Sequence, residues 1–150
     1  TMISYNDAQA FVEWLSAKEK LPYKLPTEAQ WEYACHGGLC MGQFPWGDAL
    51  PDGRRANYAD KNTDFEWRDR TADDGYKFVA PVGGYESNGF GLYDMAGNVW
   101  QWTGDVYEGM HYRFMRGGSK DTYDMDLRVW VRNNATPTYF SPGVGFRCAR

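Results

Sequence analysis

The sequence predicts an α+β domain with two N-terminal helices, short antiparallel strands and long irregular loops. Three observations support this prediction. The chain of 150 residues is rich in aromatic side chains, with 7 Trp, 11 Tyr and 8 Phe, and it also contains 17 Gly. Apolar residues recur at helical spacing only within the first forty positions. Beyond them, short strand-like segments alternate with turn residues, and this order is typical of an α+β fold rather than a helical bundle.

The first predicted helix begins after Ser4, because Ser4 and Asp7 have the spacing of a capping box. A buried stripe at positions i, i+3, i+4 and i+7 is formed by Ala8, Phe11, Val12 and Leu15. We expect this helix to end near residues 18–20, before Pro22.

The second predicted helix begins at Thr27, where Thr27 and Gln30 have the spacing of another capping box. The helical pattern continues to Cys35. The pair Gly37 and Gly38 should then end the helix, because glycine readily adopts the left-handed conformation that closes a helix.

The rest of the chain predicts loops and short strands. Residues 39–85 are rich in Gly, Pro, Asp and Asn, and residues 59–77 concentrate acidic side chains without a clear period. A long loop of this kind inside a compact domain is typically functional or is held by another group. Strands are predicted at residues 79–85, 99–105, 113–116, 127–132 and 144–148, with turn residues between them. The length and the even composition predict a single domain over residues 1–150.

Composition excludes several classes of function. The net charge of −4 does not favour nucleic acid as a partner. No run of apolar residues approaches the length of a membrane span, so none is predicted. The three cysteines, Cys35, Cys40 and Cys148, are odd in number and include no Cys-x-x-Cys pair. They therefore predict neither a complete disulfide framework nor a common zinc module.

Six motifs occur in this order: LPTEAQWEYACHGG, FPWGD, Ala56-Asn57, APVGGYESNGFGLYDMAGNVWQWTGDVY, RGGS and GVGFRCAR. Together they closely resemble the formylglycine-generating enzyme family, also called the sulfatase-modifying-factor family, over nearly the whole chain. The resemblance implies a variant of the C-type lectin fold, whose irregular loops are fixed by calcium. It also implies core positions for Trp31, Tyr33, Trp46, Trp100 and Trp102. We expect the family's usual N-terminal strands to be absent from this chain.

The resemblance implies two calcium sites built from oxygen ligands, which calcium prefers. The first site would use Asn57, Asp74 and the backbone of Tyr58 and Tyr76. The second site would use Asp94, the carbonyl groups of Gly97 and Val99, and Gln101. The family has Glu at the position of Gln101, so this chain loses one negative charge there. We expect calcium at the first site and weaker or no occupancy at the second.

The resemblance fails at the catalytic centre of the family. Formylglycine-generating enzymes use two cysteines shortly after the Gly-Gly-Ser motif to bind copper and engage the substrate cysteine. Residues 120–131 of this chain contain no cysteine. Without a thiolate there is neither a soft ligand for Cu(I) nor a partner for thiol exchange. We therefore expect no copper and no formylglycine-generating oxidase activity.

The resemblance also bears on the three thiols. Some relatives have a disulfide between the positions of Cys148 and Val12. Some have another between the positions of Cys35 and Val129. This chain lacks one cysteine of each pair, so all three thiols are expected to be free, which favours a reducing compartment such as the cytoplasm.

Two functions remain open. The first is a non-catalytic, calcium-stabilised binding module whose surface follows Gly118 and binds a protein or a small molecule. Rigid aromatic and adaptable polar side chains suit such a surface. The predicted ligand-binding residues are Tyr123, Asp124, Trp130, Asn133, Asn134, Tyr139 and Asp105. The alternative is an enzyme or enzyme fragment of the same family, with sulfoxide-synthase-like or other oxidative chemistry in a cleft without the copper-binding cysteines.

The candidate polar groups of that enzyme would be Asp105, Arg128 and Arg132. A competing interpretation for both arginines is structural, since a guanidinium can tie irregular loops together through several carbonyl groups.

Overall fold

The computed structural model describes residues 1–107 and 111–150. The helices are α1 at Tyr5–Glu19 and α2 at Glu28–His36, and the strands are β1 at Trp100–Val106, β2 at Arg113–Arg116, β3 at Arg132–Ala135 and β4 at Val144–Phe146. A short 3-10 helix at Asp124–Leu127 lies between β2 and β3. Residues 37–99 consist of turns, bends and isolated bridges. The predicted α+β class is confirmed.

Both helices begin at the predicted capping boxes. The Ser4 hydroxyl accepts a hydrogen bond of 3.2 Å from the Asp7 N–H, and the Asp7 carboxylate accepts one of 3.0 Å from the Ser4 N–H. Thr27 and Gln30 make the same reciprocal pair at 3.1 and 3.0 Å. Gly37 ends α2 with φ 59°, as predicted. Within the described residues, no helix is both long and apolar enough to cross a membrane.

The buried stripe of α1 differs from the predicted one at Phe11 and at Leu15, which is only half-buried. Ala8 and Val12 are buried as predicted, and Tyr5 joins them at 9% exposed. Phe11, in contrast, is 42% exposed, so its predicted burial is wrong. Its ring lies at the border between α1 and β4, with its centroid 5.4 Å from that of Phe146. A side chain at the border of a helix–sheet contact keeps one face in water, which accounts for the exposure.

Four strands within the described ranges form one mixed sheet in the order β3-β2-β1-β4. The pairs β1–β2 and β2–β3 are antiparallel, as predicted. The pair β1–β4 is parallel, with Trp100 opposite Val144 and Trp102 opposite Phe146. This difference arises because residues 136–143 cross from one edge of the sheet to the other, so that β4 returns in the direction of β3 and β1.

Two predicted strands are wrong. Residues 79–85 form bends and turns, and residues 127–132 overlap the end of the 3-10 helix at Asp124–Leu127 before the chain enters β3. The apolar pattern in the second segment reflects burial, since Leu127 and Val129 are each 1% exposed. The other three predicted strands are found with boundaries within two residues.

Three apolar clusters fill the interior of the described part of the chain. The first joins α1 to the sheet through Val12, Trp102, Met115 and Val144. The second lies under the loops and includes Phe44, Tyr58 and Leu127. The third lies under α2 and includes Trp31, Cys35 and Val129. Large aromatic side chains thus supply much of the buried area in a fold with few regular elements.

The aromatic residues expected in the core are only partly there. Trp31, Trp100 and Trp102 are buried, and Trp46 is half-buried against its cluster. Tyr33 is 71% exposed, so its predicted core position is wrong. Its ring packs on the outer surface of α2, with its centroid 5.5 Å from that of Phe90.

Candidate calcium and ligand-binding sites

The first candidate calcium site is built around Asn57, which is fully buried. The Asn57 Nδ2 donates a hydrogen bond of 2.8 Å to the Phe78 carbonyl oxygen, and this bond orients the amide. Its Oδ1 is buried and finds no hydrogen-bond partner among residues 1–107 and 111–150. An unpaired buried acceptor costs about 1–3 kcal/mol, and a cation ligated by that oxygen would remove this cost.

Asp74 lies at the same place. Its carboxylate accepts hydrogen bonds from the backbone N–H groups of Tyr58 at 3.1 Å and Tyr76 at 2.7 Å. Burial, together with the nearby carboxylate of Asp60, raises the pKa of Asp74 to about 6. A neighbouring cation would favour the ionised carboxylate in this environment. The structure therefore places Asp74 against the backbone of Tyr76 and of Tyr58, which follows Asn57 in the chain. Amide, carboxylate and carbonyl oxygens are the ligand types that calcium prefers.

The acidic loop, residues 59–73, starts and ends next to this site. The Ala59 carbonyl oxygen accepts a hydrogen bond of 2.8 Å from the Asp69 N–H. The Asp60 carboxylate accepts one of 2.6 Å from the Asp74 N–H. These bonds close the acidic loop at its base, so a segment without regular secondary structure is held as one ordered unit.

The second candidate calcium site contains one carboxylate oxygen that has no hydrogen-bond partner within the described residues. The Asp94 Oδ2 accepts a hydrogen bond of 2.7 Å from the Gly83 N–H. The Asp94 Oδ1 is buried and has no partner in the described part of the chain. The carbonyl oxygen of Gly97 accepts a bond of 2.8 Å from the Val99 N–H. Asp94 thus resembles Asn57 in offering a buried oxygen that could ligate a cation.

Gln101 does not fit a fourth ligand at this second site. Its Oε1 accepts hydrogen bonds from Trp31 Nε1 at 2.9 Å and from Arg147 Nε at 2.6 Å. Its Nε2 donates to the Asp94 carbonyl oxygen at 2.6 Å. The Arg147 guanidinium also donates to the carbonyl oxygens of Tyr93 at 2.8 Å and Asp94 at 3.2 Å. The Gln101 oxygen is therefore committed to two donors, and a protein cation already lies beside it.

Both candidate sites depend on amide and carbonyl oxygens. In the ranges 1–107 and 111–150, no three or more His, Cys, Asp or Glu side chains form a group that could hold a metal ion. Each predicted set contains a single carboxylate, Asp74 or Asp94, and draws its other ligands from backbone or amide groups.

The structure divides the predicted ligand-binding residues among three depressions. Asn133 and Tyr139 line the first, which we call the Gly118 cleft because it follows that residue. Tyr123 and Asp124 line the second, and Asp105 lies in the third. Trp130 and Asn134 are exposed outside all three, with Asn134 on β3. The sequence-predicted set therefore does not form one continuous surface.

The Gly118 cleft has a volume of about 180 Å³. Its lining residues are Trp100, Met115, Ser119, Asp121, Thr122, Asn133, Tyr139, Ser141, Gly143 and Val144. The Ser119 hydroxyl accepts a hydrogen bond of 3.3 Å from the Asp121 N–H. The Thr122 hydroxyl donates to the Ser119 carbonyl oxygen at 2.9 Å. These bonds stabilise a local turn and leave Ser119 without a basic side chain among the cleft residues.

The third depression, of about 520 Å³, lies beside α2. Asp105 accepts a hydrogen bond there from the Glu28 N–H and so caps the first turn of α2 from the sheet. Arg132 Nε lies 3.3 Å from the Glu28 carboxylate. Arg128 stands apart, with its guanidinium 6.0 Å from the Trp130 ring centroid. Asp105 and Arg132 thus share this depression and each contacts Glu28. The buried Nε of Arg128 finds no hydrogen-bond partner within the described residues.

Arg116 is a central residue that sequence reasoning missed. It is fully buried, and its guanidinium donates to the Glu28 carboxylate at 2.9 Å, to the Glu32 carboxylate, and to the Val129 carbonyl oxygen at 2.7 Å. It also lies 5.3 Å from the Trp31 ring centroid. Its position as the first residue of the RGGS motif was the available signal. Arg116 ties α2 to β2 and to the chain before β3.

The whole chain, residues 1–150, matches the family described as the Sulfatase-modifying factor enzyme 1-like domain. The chain belongs to this family. It is 39% identical over 173 residues to the formylglycine-generating enzyme of Streptomyces coelicolor, with 98% of this chain and 51% of that protein covered. It is 38% identical over 155 residues to the inactive C-alpha-formylglycine-generating enzyme 2 of Mus musculus, with 98% and 47% covered. The chain spans about half the length of these curated relatives.

A solved structure supports the same fold. The structure of PvdO from Pseudomonas aeruginosa superposes with a TM-score of 0.84 at 29% sequence identity, covering 98% of this chain and 59% of that one. The resemblance noted in the sequence, including the fold of this family, is therefore confirmed.

The three cysteines of this family member are free, as expected. Cys35 is buried and lies in the same cluster as Val129, the position that carries its partner in some relatives. Burial raises the pKa of the Cys35 thiol and keeps it protonated. Cys40 and Cys148 are exposed. None of the three lines the Gly118 cleft.

Proposed function

We propose that this chain is a non-catalytic, calcium-stabilised binding module of the sulfatase-modifying-factor family. The observation that carries the proposal is the Gly118 cleft, whose described lining includes Ser119, Asn133 and Tyr139 but no cysteine. The mouse relative named as inactive, 38% identical, supports a non-catalytic member of the family.

The chemistry of copper supports the non-catalytic part of the proposal. Cu(I) prefers soft thiolate ligands, and oxidation of a substrate thiol by thiol exchange also needs a protein thiolate. Cys35 is buried in the third apolar cluster, and the residues that line the Gly118 cleft offer hydroxyl, amide and carboxylate groups instead. The cleft is thus built for hydrogen bonding rather than for soft-metal chemistry.

Calcium would have a structural role in this module. Asn57 and Asp74, with carbonyl oxygens of Tyr58 and Tyr76, would hold it. A bound calcium ion supplies positive charge and no redox chemistry. That charge would balance the neighbouring carboxylates of Asp74 and Asp60 and would hold the acidic loop against the core.

The size of the Gly118 cleft limits its ligand. At about 180 Å³ it is smaller than the 300–1,000 Å³ typical of sites that enclose a small molecule. Tyr139, 45% exposed, offers apolar contact area, while Ser119 and Asn133 offer hydrogen bonds. The cleft therefore suits one side chain of a protein ligand, or one end of a small polar molecule.

A copper and turnover assay tests the proposal. The protein is titrated with Cu(I) and then incubated in air with a cysteine-containing sulfatase-type peptide, and peptide oxidation is followed by mass spectrometry. We expect neither tight copper binding nor formylglycine. The Streptomyces coelicolor relative serves as the positive control under the same conditions. Tight Cu(I) binding with turnover of the peptide would overturn the non-catalytic assignment.

A further inference from the structure

A second depression lies between the acidic loop and the 3-10 helix at Asp124–Leu127. It has a volume of about 300 Å³. Its lining residues are Tyr58, Ala59, Trp67, Arg68, Asp69, Arg70, Tyr123 and Asp124. We propose that this depression binds a zwitterionic ligand of the amino-acid type that carries an aromatic or other apolar side chain. The site is distinct from the Gly118 cleft and does not depend on the function proposed for that cleft.

The two walls of the depression are joined through the backbone. The Ala59 N–H donates a hydrogen bond of 3.1 Å to the Thr122 carbonyl oxygen, which places the start of the acidic loop beside Tyr123. The Tyr58 hydroxyl donates one of 2.8 Å to the Asp69 carboxylate across the loop. The walls are therefore held in place before any ligand arrives, and this lowers the entropic cost of binding.

Two aromatic rings stand at the rim. Trp67 stacks on Phe65 with ring centroids 4.6 Å apart and an interplanar angle of 19°. The stacking fixes the indole while leaving Trp67 48% exposed, and Tyr123 is 46% exposed. Rigid, half-exposed aromatic side chains give a ligand apolar contact area at little cost in side-chain entropy.

Two charged side chains of the depression already have partners. The Arg68 Nη1 donates to the Phe65 carbonyl oxygen at 2.8 Å. Besides the Tyr58 hydroxyl, the Asp69 carboxylate accepts hydrogen bonds from the N–H and hydroxyl of Thr71 at 2.8 and 2.7 Å. These hydrogen bonds fix the Arg68 and Asp69 side chains.

Arg70 and Asp124 differ from Arg68 and Asp69 in their hydrogen bonding. Each lines the depression, yet within residues 1–107 and 111–150 neither side chain forms an ion pair or a hydrogen bond with another residue. Asp124 begins the 3-10 helix at Asp124–Leu127, whereas Arg70 belongs to the acidic loop. One cation and one anion are thus presented to the same space from opposite walls.

The charges select the class of ligand. Two arginines and two aspartates line the depression, so a ligand with a net charge would leave one protein charge unbalanced. A carboxylate can take a bidentate hydrogen bond from the Arg70 guanidinium, and an ammonium group can donate to Asp124. The volume lies at the lower limit of small-molecule sites, which fits a ligand of amino-acid size.

Calorimetric titration with L-phenylalanine and two analogues tests the inference. N-acetyl-phenylalanine lacks the ammonium group, and phenethylamine lacks the carboxylate. We expect phenylalanine to bind about tenfold more tightly than either analogue, because each analogue forfeits one charge-assisted hydrogen bond.

Variants assign each preference to its residue. Arg70→Gln should abolish the preference for phenylalanine over phenethylamine, and Asp124→Asn should abolish the preference over N-acetyl-phenylalanine. Trp67→Ala should weaken all three ligands to a similar extent. Arg54→Gln is the matched control, because Arg54 is an exposed arginine paired with Asp52 outside the depression, and it should change nothing.

Two outcomes would overturn the inference. The first is that phenylalanine does not bind to the wild-type protein. The second is that both preferences persist in the Arg70→Gln and Asp124→Asn variants, which would place the ligand elsewhere. Either result leaves the copper and turnover assay unaffected, so failure of this site and failure of the proposed function are distinguishable.

Discussion

The backbone of Gly97 packs so closely against that of Asn57 that a Cβ atom on Gly97 would lie 2.3 Å from the Asn57 carbonyl oxygen. The same carbonyl oxygen accepts a hydrogen bond of 2.7 Å from the Asn98 N–H. Gly97 also has φ 75°, a conformation that favours glycine. This contact joins the two chain segments that carry the candidate calcium ligands.

Gly97→Ala should therefore destabilise the protein by more than about 3 kcal/mol, because the added methyl group forces these two segments apart. Gly91→Ala is the matched control. Gly91 has almost the same φ, 74°, but a Cβ there would meet nothing within 4 Å, so the loss should be about 1–2 kcal/mol. The measurement is the free energy of unfolding from urea denaturation. Equal losses in the two variants would show that the Gly97–Asn57 contact contributes nothing.

Removing calcium should lower the melting temperature of the wild-type protein, because an ion bound only to the folded state stabilises it. At a calcium concentration one hundred times its Kd, the stabilisation is about 2.7 kcal/mol. Asp74→Asn keeps the shape of the side chain but removes its charge, so the effect of calcium should largely disappear. Asp73→Asn is the control, since Asp73 is exposed and paired with Lys61 at 2.7 Å. A wild-type melting temperature that stays the same when a chelator is added would contradict the calcium proposal.

Gln101→Glu should create a second calcium site. Trp31 and Arg147 bond only the Oε1 of Gln101, so the substitution turns Nε2 into a second carboxylate oxygen beside Asp94. The Oδ1 of Asp94 is buried and unpaired within the described residues. The substitution also removes the donor that bonds the Asp94 carbonyl oxygen at 2.6 Å, so the calcium-free variant should lose about 1–3 kcal/mol of stability. Native mass spectrometry counts the bound ions, and we expect one for the wild type and two for the variant. A second ion in the wild type, or none gained in the variant, would refute this expectation.

Arg116→Ala should be among the most destabilising substitutions in the chain, with a loss of about 3–5 kcal/mol. The change leaves Glu28, Glu32 and the Val129 carbonyl oxygen without their buried partner. Arg116→Lys should recover only part of the loss, because one ammonium group cannot match the planar fork of the guanidinium.

The control for Arg116 is Arg54→Ala. Arg54 pairs with Asp52 at 3.2 Å on the surface, where such pairs contribute at most about 1 kcal/mol. Chemical denaturation compares the variants. A loss at Arg116 no larger than that at Arg54 would mean that the buried ion pairs do not hold α2 to the sheet.

The sequence predicts the helices better than the strands, for a physical reason. The caps at Ser4 and Thr27 are made by residues three positions apart, so their partners are visible in the local sequence. β3 depends on pairing with β2, and its residues are mostly exposed and polar, so no alternation reveals it. The apolar residues just before it, including Val129, are buried in the core without belonging to a strand.

The candidate sites, like β3, depend on tertiary contacts that the local sequence does not reveal. The residues of the first candidate calcium site could be named only through the family resemblance, since Asn57 alone among them lies in one of the six motifs. The division of the ligand-binding residues could not be foreseen, because it depends on where the acidic loop returns to the core. Trp67 and Arg70 belong to that loop and join Tyr123 only through tertiary structure. Arg116 was missed for a related reason, since its partners Glu28 and Glu32 lie more than eighty residues away in the chain.

Asp126→Asn should stabilise the protein at neutral pH but not in acid. Burial, with a contribution from the neighbouring Asp124 carboxylate, raises the pKa of Asp126 above its ordinary value of 3.8. The folded state therefore binds the proton more tightly than the unfolded state, and stability falls as the pH rises from about 3.8 through the folded pKa. An uncharged amide removes this loss, so we expect the variant to be more stable than the wild type at pH 7. The control Glu66→Gln removes the same charge from an exposed side chain outside the 3-10 helix. Unfolding free energies of the wild type and of Asp126→Asn, measured from pH 3 to 8, check the prediction. A difference between the two proteins that does not vary with pH would contradict it.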